Sequence, residues 1–298
     1  MTPNLYDLNS ADGVRQIVAA LFQGYNYRLY TEGQTRNQLL DAYRQLTAVR
    51  ERLPADASHE EWMAAAEAEL DDAGNDLAWW LLGLTNKTAQ NLGIRRDGRL
   101  DYLEEVARHV REVSAGSPDG SFDDGMLMLW AGAATLTIRG SRKSTAGKTL
   151  ERAFLRAGLT ILGLEEGTDF WLNMQRDAEV PREIDVEIAS RRGRIRVEMG
   201  LIERGNQEVI EDKITRVGTG GMVIFDQIGP RSNARQTAEN NQVGFIQIRN
   251  NRPLTEMHGF LNDKVAKMLV EPPANTDDIV EAVGRLPDEL FVSGLLPA

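Results

Sequence analysis

Between residues 183 and 199 the run EIDVEIASRRGRIRVEM alternates charged with aliphatic side chains. A period of two marks half-buried strands, so Glu183 to Ser190 and Arg194 to Met199 read as a hairpin across Arg191, Arg192 and Gly193. Ile184, Val186 and Ile188 then face one side with Ile195, Val197 and Met199, and Asp185, Glu187, Arg196 and Glu198 share the other. A turn of about four residues sets Asp185 opposite Glu198, whereas a two-residue turn sets Glu187 there and leaves Asp185 on the diagonal. In both arrangements carboxylates crowd together across adjacent strands, which is unfavourable unless positive charge lies between them. Mg²⁺ supplies that charge well, because it takes hard oxygen ligands and needs few of them from protein. An exposed sheet face on which Arg194 and Arg196 provide the counter-charge accounts for the same pattern.

The neighbouring elements narrow the choice. A long helix bearing Glu151 precedes the hairpin, and a helix bearing Glu211, Asp212 and Lys213 follows it. Three strings carry this order: Arg139 to Glu151 (RGSRKSTAGKTLE), Pro181 to Gly200 (PREIDVEIASRRGRIRVEMG) and Gly200 to Lys213 (GLIERGNQEVIEDK), with a later strand Val243 to Arg249 and then NNRPL. Over about Arg139 to Leu254 the chain resembles the PD-(D/E)XK nucleases, the superfamily of most type II restriction endonucleases, and within it the CfrBI-like enzymes. The N-terminal third shows no such likeness. The resemblance implies Asp185 and Glu198 as catalytic metal ligands for Mg²⁺, with Pro181 four residues before Asp185 rather than adjacent to it. Gly200 stands where the family has its lysine, and Lys213 on the next helix is placed to substitute, with Arg196 a weaker alternative. Glu151 matches a helical Glu that supports the metal through water. The implied reaction is hydrolysis of phosphodiester bonds in double-stranded DNA, by a homodimer whose two-fold axis relates two cuts, with a cognate DNA methyltransferase protecting the host site. A non-catalytic DNA-binding or assembly protein on the same fold is the alternative.

Ala146-Gly147-Lys148-Thr149 resembles the end of a phosphate-binding P-loop, but the first Gly of that motif falls on Arg142, and Gly140 is two residues too early. Arg142, Lys143 and Lys148 are better read as contacts to DNA phosphates at a helix start, helped by the helix dipole, or simply as a solvated cap. The segment containing Arg231, Asn233, Arg235 and Gln236 carries side chains that can bond base edges, and an ordinary polar surface helix is equally consistent with it. Asn250, Asn251 and Arg252 are secondary candidates for readout.

The elements that must position these residues follow from periodicity. Val14 to Phe22, Gln34 to Leu53, Glu60 to Leu70, Leu77 to Leu92 and Leu100 to Val113 read as helices, with Ala78 to Leu82 packed on two sides rather than serving as a stacking platform for bases. Ser114 to Gly120 is turn-rich and separates a helical region, 1–120, from a nuclease core, 121–298. Two helices, Met126 to Leu136 and Thr145 to Leu164, then precede strands at Phe170 to Met174, in the hairpin, at Met222 to Ile228 and at Val243 to Ile248. Helices at Glu208 to Val217 and Arg231 to Asn240 lie between the later strands. The fold class is α/β or α+β, a mixed sheet flanked by helices.

Composition sets the remaining bounds. A chain of 298 residues, 42% hydrophobic, can bury a large core. It has no Cys, which excludes disulfides and thiolate zinc sites, and its three His are scattered. No apolar run is long enough to span a membrane, so a soluble, cytoplasmic protein is expected. The net charge of −11 opposes DNA binding by the chain taken as a whole, but Thr137 to Arg252 holds 19 basic and 16 acidic residues, a net of +3, so −14 lies elsewhere.

Overall fold

The switch in hydrophobic period near residue 170 is where helices give way to a sheet. The computed structural model describes residues 8, 10–54, 57–72, 79–80, 82–95, 98–115, 122–173, 184–203 and 207–292. Five strands, β1 (Phe170–Leu172), β2 (Val186–Ser190), β3 (Gly193–Glu203), β4 (Met222–Gln227) and β5 (Gly244–Gln247), lie in the order β1-β2-β3-β4-β5. β1, β2 and β3 pair antiparallel, and β3, β4 and β5 pair parallel. Parallel neighbours need a crossover, and the helices Gln207–Val217 and Ala234–Asn240 supply the two required here. The fold is therefore mixed α/β, a five-stranded mixed sheet flanked by helices.

The two faces of this sheet are covered differently. Val186, Ile188, Ile195, Val197, Met199, Met222, Ile224 and Ile246 pack with Leu150, Phe154 and Ala157 of the long helix Phe122–Ile161, and with Ile17, Leu21 and Phe22 of the helix Ala11–Phe22. Each fully buried side chain of this size contributes roughly 1.5–3 kcal/mol. On the opposite face Val223 and Phe225 of β4 meet Ile210, Ile214 and Val217 from one crossover helix and Ala234 and Ala238 from the other. That second layer covers the β4 side, while Glu187, Arg194 and Arg196 on the hairpin stay substantially open, with side chains 33%, 54% and 54% exposed.

The chain forms two compact units, Glu32–Ser144, and Met1–Thr31 together with Thr145–Ala298. The Glu32–Ser144 unit has its own core, with Leu46, Val49, Trp62, Trp79, Trp80, Leu84, Ala107, Trp130 and Ile138 buried together. Trp62 and Trp130 meet edge to face, centroids 6.3 Å apart. Trp79 and Trp80 are thus core residues, while Ala78 and Leu81 lie outside the described residues. The single helix expected over Leu77 to Leu92 is broken: Gly83 turns the chain at φ +73°, and a new helix, Asn86–Asn91, starts at Thr85, whose side chain accepts from the Thr88 amide.

A second difference concerns the approach to the site. The two helices expected on either side of residues 137–144 are one helix, Phe122–Ile161. Gly140 and Gly147 each cost about 1 kcal/mol inside a helix, and with no Pro in the segment that is too little to stop it. Three further helices, Pro253–Leu261, Thr276–Gly284 and Glu289–Val292, follow the sheet. Among the described residues no helix is long and apolar enough to cross a membrane.

Candidate active site

Glu198 sits in the middle of β3, at the edge of the region that the helix Gln207–Val217 covers. The hairpin turn consists of Arg191 and Arg192, with Ser190 paired to Gly193 and Glu187 to Arg196. Gly193 has φ +121°, a conformation that other residues rarely adopt. Continuing this register by one step past Val186↔Val197 brings Asp185 opposite Glu198. The turn is short, yet the facing pair is the one expected of the longer turn, because a tight turn at 191–192 is centred like a four-residue turn at 190–193. Asp185 is further fixed by accepting the Met199 amide at 2.7 Å.

Lys213 and Arg216 are three residues apart on the crossover helix and so share a face. Ile210, Ile214 and Val217 anchor that helix to the sheet, which turns both cations toward Glu198. The Lys213 ammonium donates to Glu198 Oε2 at 2.5 Å and to the Met199 carbonyl at 2.7 Å, and lies 3.8 Å from Asp185 Oδ2. Arg216 donates to Glu198 Oε1 at 2.8 Å and also pairs with Asp212. Glu198 is 1% exposed, Lys213 16% and Asp185 31%, so the site opens on the Asp185 side.

The electrostatics show a shortage of positive charge. Burial raises the Glu198 pKa, and the Asp185 charge raises it further against the opposing pull of Lys213 and Arg216. Burial pushes the Lys213 ammonium down, but Asp185, Glu198 and Glu151 together outweigh it, and its pKa lies above the ordinary lysine value. Glu151 is pushed up to about 7, by burial first and then by Asp185. Burial is the largest cause for the two glutamates, and mutual repulsion among Asp185, Glu198 and Glu151 adds to it; for Lys213 the attraction of the same three carboxylates overcomes burial.

Glu151 reaches the site through the backbone. Its Oε1 accepts the Leu201 amide at 2.9 Å, and the Tyr27 hydroxyl donates to the Leu201 carbonyl at 3.1 Å. The peptide groups on either side of the Leu201 Cα are thereby each held by a side chain, beside the register shift of β3 between Gly200 and Glu203. Tyr27 is delivered by the turn at Gly24, where φ is +78° and an added Cβ would come within 2.7 Å of the Asn251 carbonyl oxygen. At the C-terminal end of β4 the fully buried Asp226 pairs with Arg249, at 2.6 Å from Nη2. Arg249 also donates to Gln227 and Asn26.

Two carboxylates of adjacent strands within 4 Å of one ammonium suit a small hard cation, which uses one or two protein carboxylates and keeps water for the rest. Among the described residues no group of three or more His, Cys, Asp or Glu side chains could hold a metal ion. Asp185 and Glu198 are the residues that could hold such an ion, and a pair of carboxylates fits Mg²⁺.

The structure thus brings Asp185, Glu198, Lys213 and, through Leu201, Glu151 into one cluster. Arg196 is not part of it: its Nε lies 4.0 Å from Glu187, which Arg194 holds at 2.5 Å. Pro181 lies outside the described residues. Arg142, Lys143 and Lys148 lie inside the long helix rather than at a helix start, so the proposed contribution of a helix dipole there is corrected. The side chains of Arg142 and Lys143 lie outside the described residues, and Lys148 is exposed. Arg231, Asn233, Arg235 and Gln236 are exposed. Asn233 precedes the short helix Ala234–Asn240 without a side-chain capping bond, Arg235 lies over the Phe245 ring at 4.7 Å, and Gln236 bonds Asn240. Arg216, Tyr27 and the Asp226–Arg249 pair escaped sequence reasoning. The first is signalled by its three-residue spacing from Lys213, and the last by an acid closing the apolar run MVIFD at the C-terminal end of a parallel strand, where such sheets bind ligands.

A mixed sheet bears a buried glutamate clamped by two cations and faced by the half-buried Asp185, and sequence comparison gives this arrangement a class. The family model of the CfrBI restriction endonuclease matches residues 11–117 and 122–233. The chain belongs to this family, and the match takes in the N-terminal region where the sequence alone had shown no likeness. It is 27% identical over 336 aligned positions, covering 98% of this chain and 91% of the relative, to the Type II restriction enzyme CfrBI of Citrobacter freundii. No solved structure matches.

Proposed function

We propose that this protein is a type II restriction endonuclease of PD-(D/E)XK type that hydrolyses double-stranded DNA at specific sequences with Mg²⁺. The observation that carries the reading is Lys213, whose ammonium lies 2.5 Å from Glu198 and 3.8 Å from Asp185 although it comes from a helix and not from the strand. Asp185 and Glu198 would hold Mg²⁺, which would supply Lewis-acid charge for a phosphodiester and lower the pKa of a water. Lys213, held by Glu198 and the Met199 carbonyl, orients the attacking water and stabilises its hydroxide. Arg216 fixes Oε1 of Glu198 while Lys213 holds Oε2, so the carboxylate is oriented from both sides. Glu151 accepts the Leu201 amide and so fixes β3 two residues beyond Met199, next to the pair. No covalent intermediate is required.

Specific cleavage of both strands calls for two such sites related by a two-fold axis, so we infer a homodimer, and a host protected by a cognate DNA methyltransferase. Arg231, Asn233, Arg235 and Gln236 are the proposed base-reading group, and Arg142, Lys143 and Lys148 the proposed phosphate contacts. Incubation with a large DNA of known sequence tests the reading. Discrete fragments with Mg²⁺, and none with EDTA, are expected; intact DNA under both conditions, at protein concentrations that bind it, would leave a non-catalytic DNA-binding protein.

A further inference from the structure

The open part of the sheet carries charge that the catalytic cluster does not use. Between Glu187 and Arg196 there are four arginines, Arg191, Arg192, Arg194 and Arg196, against the single acid Glu187, in a chain whose net charge is −11. Arg196 and Arg194 share the β3 face that bears Glu198. Alternate residues of a strand are about 7 Å apart, so the two step outward from the buried carboxylate over about 14 Å toward the turn. Exposure rises along the same line, from 1% at Glu198 to 54% at Arg196 and Arg194. Arg191 and Arg192 at the tip are exposed.

The hairpin that carries them is braced at two points. Arg194 donates to Glu187 at 2.5 Å and lies over the Trp171 ring, 4.4 Å from its centroid. The Arg191 amide donates to the Lys264 carbonyl at 2.9 Å, which ties the hairpin tip to the body of this unit. Ordering that is already in place lowers the entropy cost of binding, and guanidinium groups match phosphate oxygens in paired hydrogen bonds. The covering helix Gln207–Val217 reaches Glu198 through Lys213 and Arg216, and Asp185 is the exposed side of the carboxylate pair.

We infer that Arg191, Arg192, Arg194 and Arg196 form a track for the backbone phosphates of the DNA strand that leads into the site. This rests on the reading of that site as one that cuts duplex DNA. Contacts of this kind add affinity without sequence preference, so they complement a base-reading element elsewhere.

Binding of a short non-cognate duplex by the full chain in EDTA, followed by fluorescence anisotropy over a range of salt concentrations, tests the track separately from catalysis. For Arg194→Gln combined with Arg196→Gln, the slope of log K against log salt should fall in magnitude by about 1.8, the loss of two phosphate contacts. Glu187→Gln removes the one opposing charge and should tighten binding, a gain that a misfolded variant would not produce. An unchanged slope in the double variant together with unchanged affinity in Glu187→Gln overturns the track while leaving the nuclease reading intact. A parent protein that binds no duplex at any salt concentration overturns both.

Discussion

Glu187 and Glu198 face the same side of one hairpin, and each is met by two cationic side chains, yet they do different work. Glu187 is a third exposed and pairs with Arg194 at 2.5 Å and, more loosely, Arg196 at 4.0 Å. Glu198 is 1% exposed and is bound by Lys213 and Arg216 from a helix that packs over it. Water screens the first group, and such pairs contribute little to stability. The second has no water to fall back on, so its charge must be met by protein or by a bound cation. Burial, and not residue type, separates the chemical part of the hairpin from the part that presents charge to solvent.

Exchanging or removing these partners should therefore have unequal effects. The largest is expected for Lys213→Ala, which strips one of two cations from a buried carboxylate: cleavage should fall by about 10²–10⁴-fold, and stability by about 3 kcal/mol, read by fragment yield and by urea unfolding. Arg216→Ala leaves Lys213 in place and should slow cleavage by about 10–100-fold, as loss of a residue that orients a metal ligand does. Glu151 provides a test by pH. Its folded pKa of about 7 lies above the ordinary value of 4.5, so its contribution to stability is complete below about 4.5 and is lost as pH rises through 7. The difference amounts to about 3 kcal/mol. Glu151→Gln, studied in EDTA, should abolish that decline and be more stable than the parent at pH 8. The smallest effect is expected for Glu187→Ala, whose stability should stay within about 1 kcal/mol of the parent; a larger loss would erase the contrast between the two carboxylates.

Much of this arrangement was legible in the residues themselves. Alternation in the two arms of the hairpin placed the acids on one face, and of the aliphatic set on the other Val186, Ile188, Ile195, Val197 and Met199 are buried while Ile184 at the entry is half-buried. The register was ambiguous because residues on both sides of the turn are Arg, and only the position of the tight turn at Arg191 and Arg192 resolves it. Lys213 could be singled out because Gly200 occupies the strand position and a helix follows. Arg216 was hidden because a second cation one turn further along looks like an ordinary solvated residue until the helix is docked. The long helix was misjudged at residues 137–144, where polar residues and Gly140 imitate a boundary, although packing of Ile138 on one side and Leu150 on the other sustains the helix. The Leu77 to Leu92 helix failed for the opposite reason: the apolar spacing continues through Gly83, but the backbone does not.

Asp185 offers the most direct test, since it is the open member of the carboxylate pair and its truncation leaves the Glu198–Lys213–Arg216 cluster buried and paired. Asp185→Asn should fold as the parent does, by circular dichroism, bind duplex DNA and yield no fragments from a sequence-known DNA with Mg²⁺. A parental fragment pattern from Asp185→Asn would contradict a carboxylate-held metal at the Asp185–Glu198 pair.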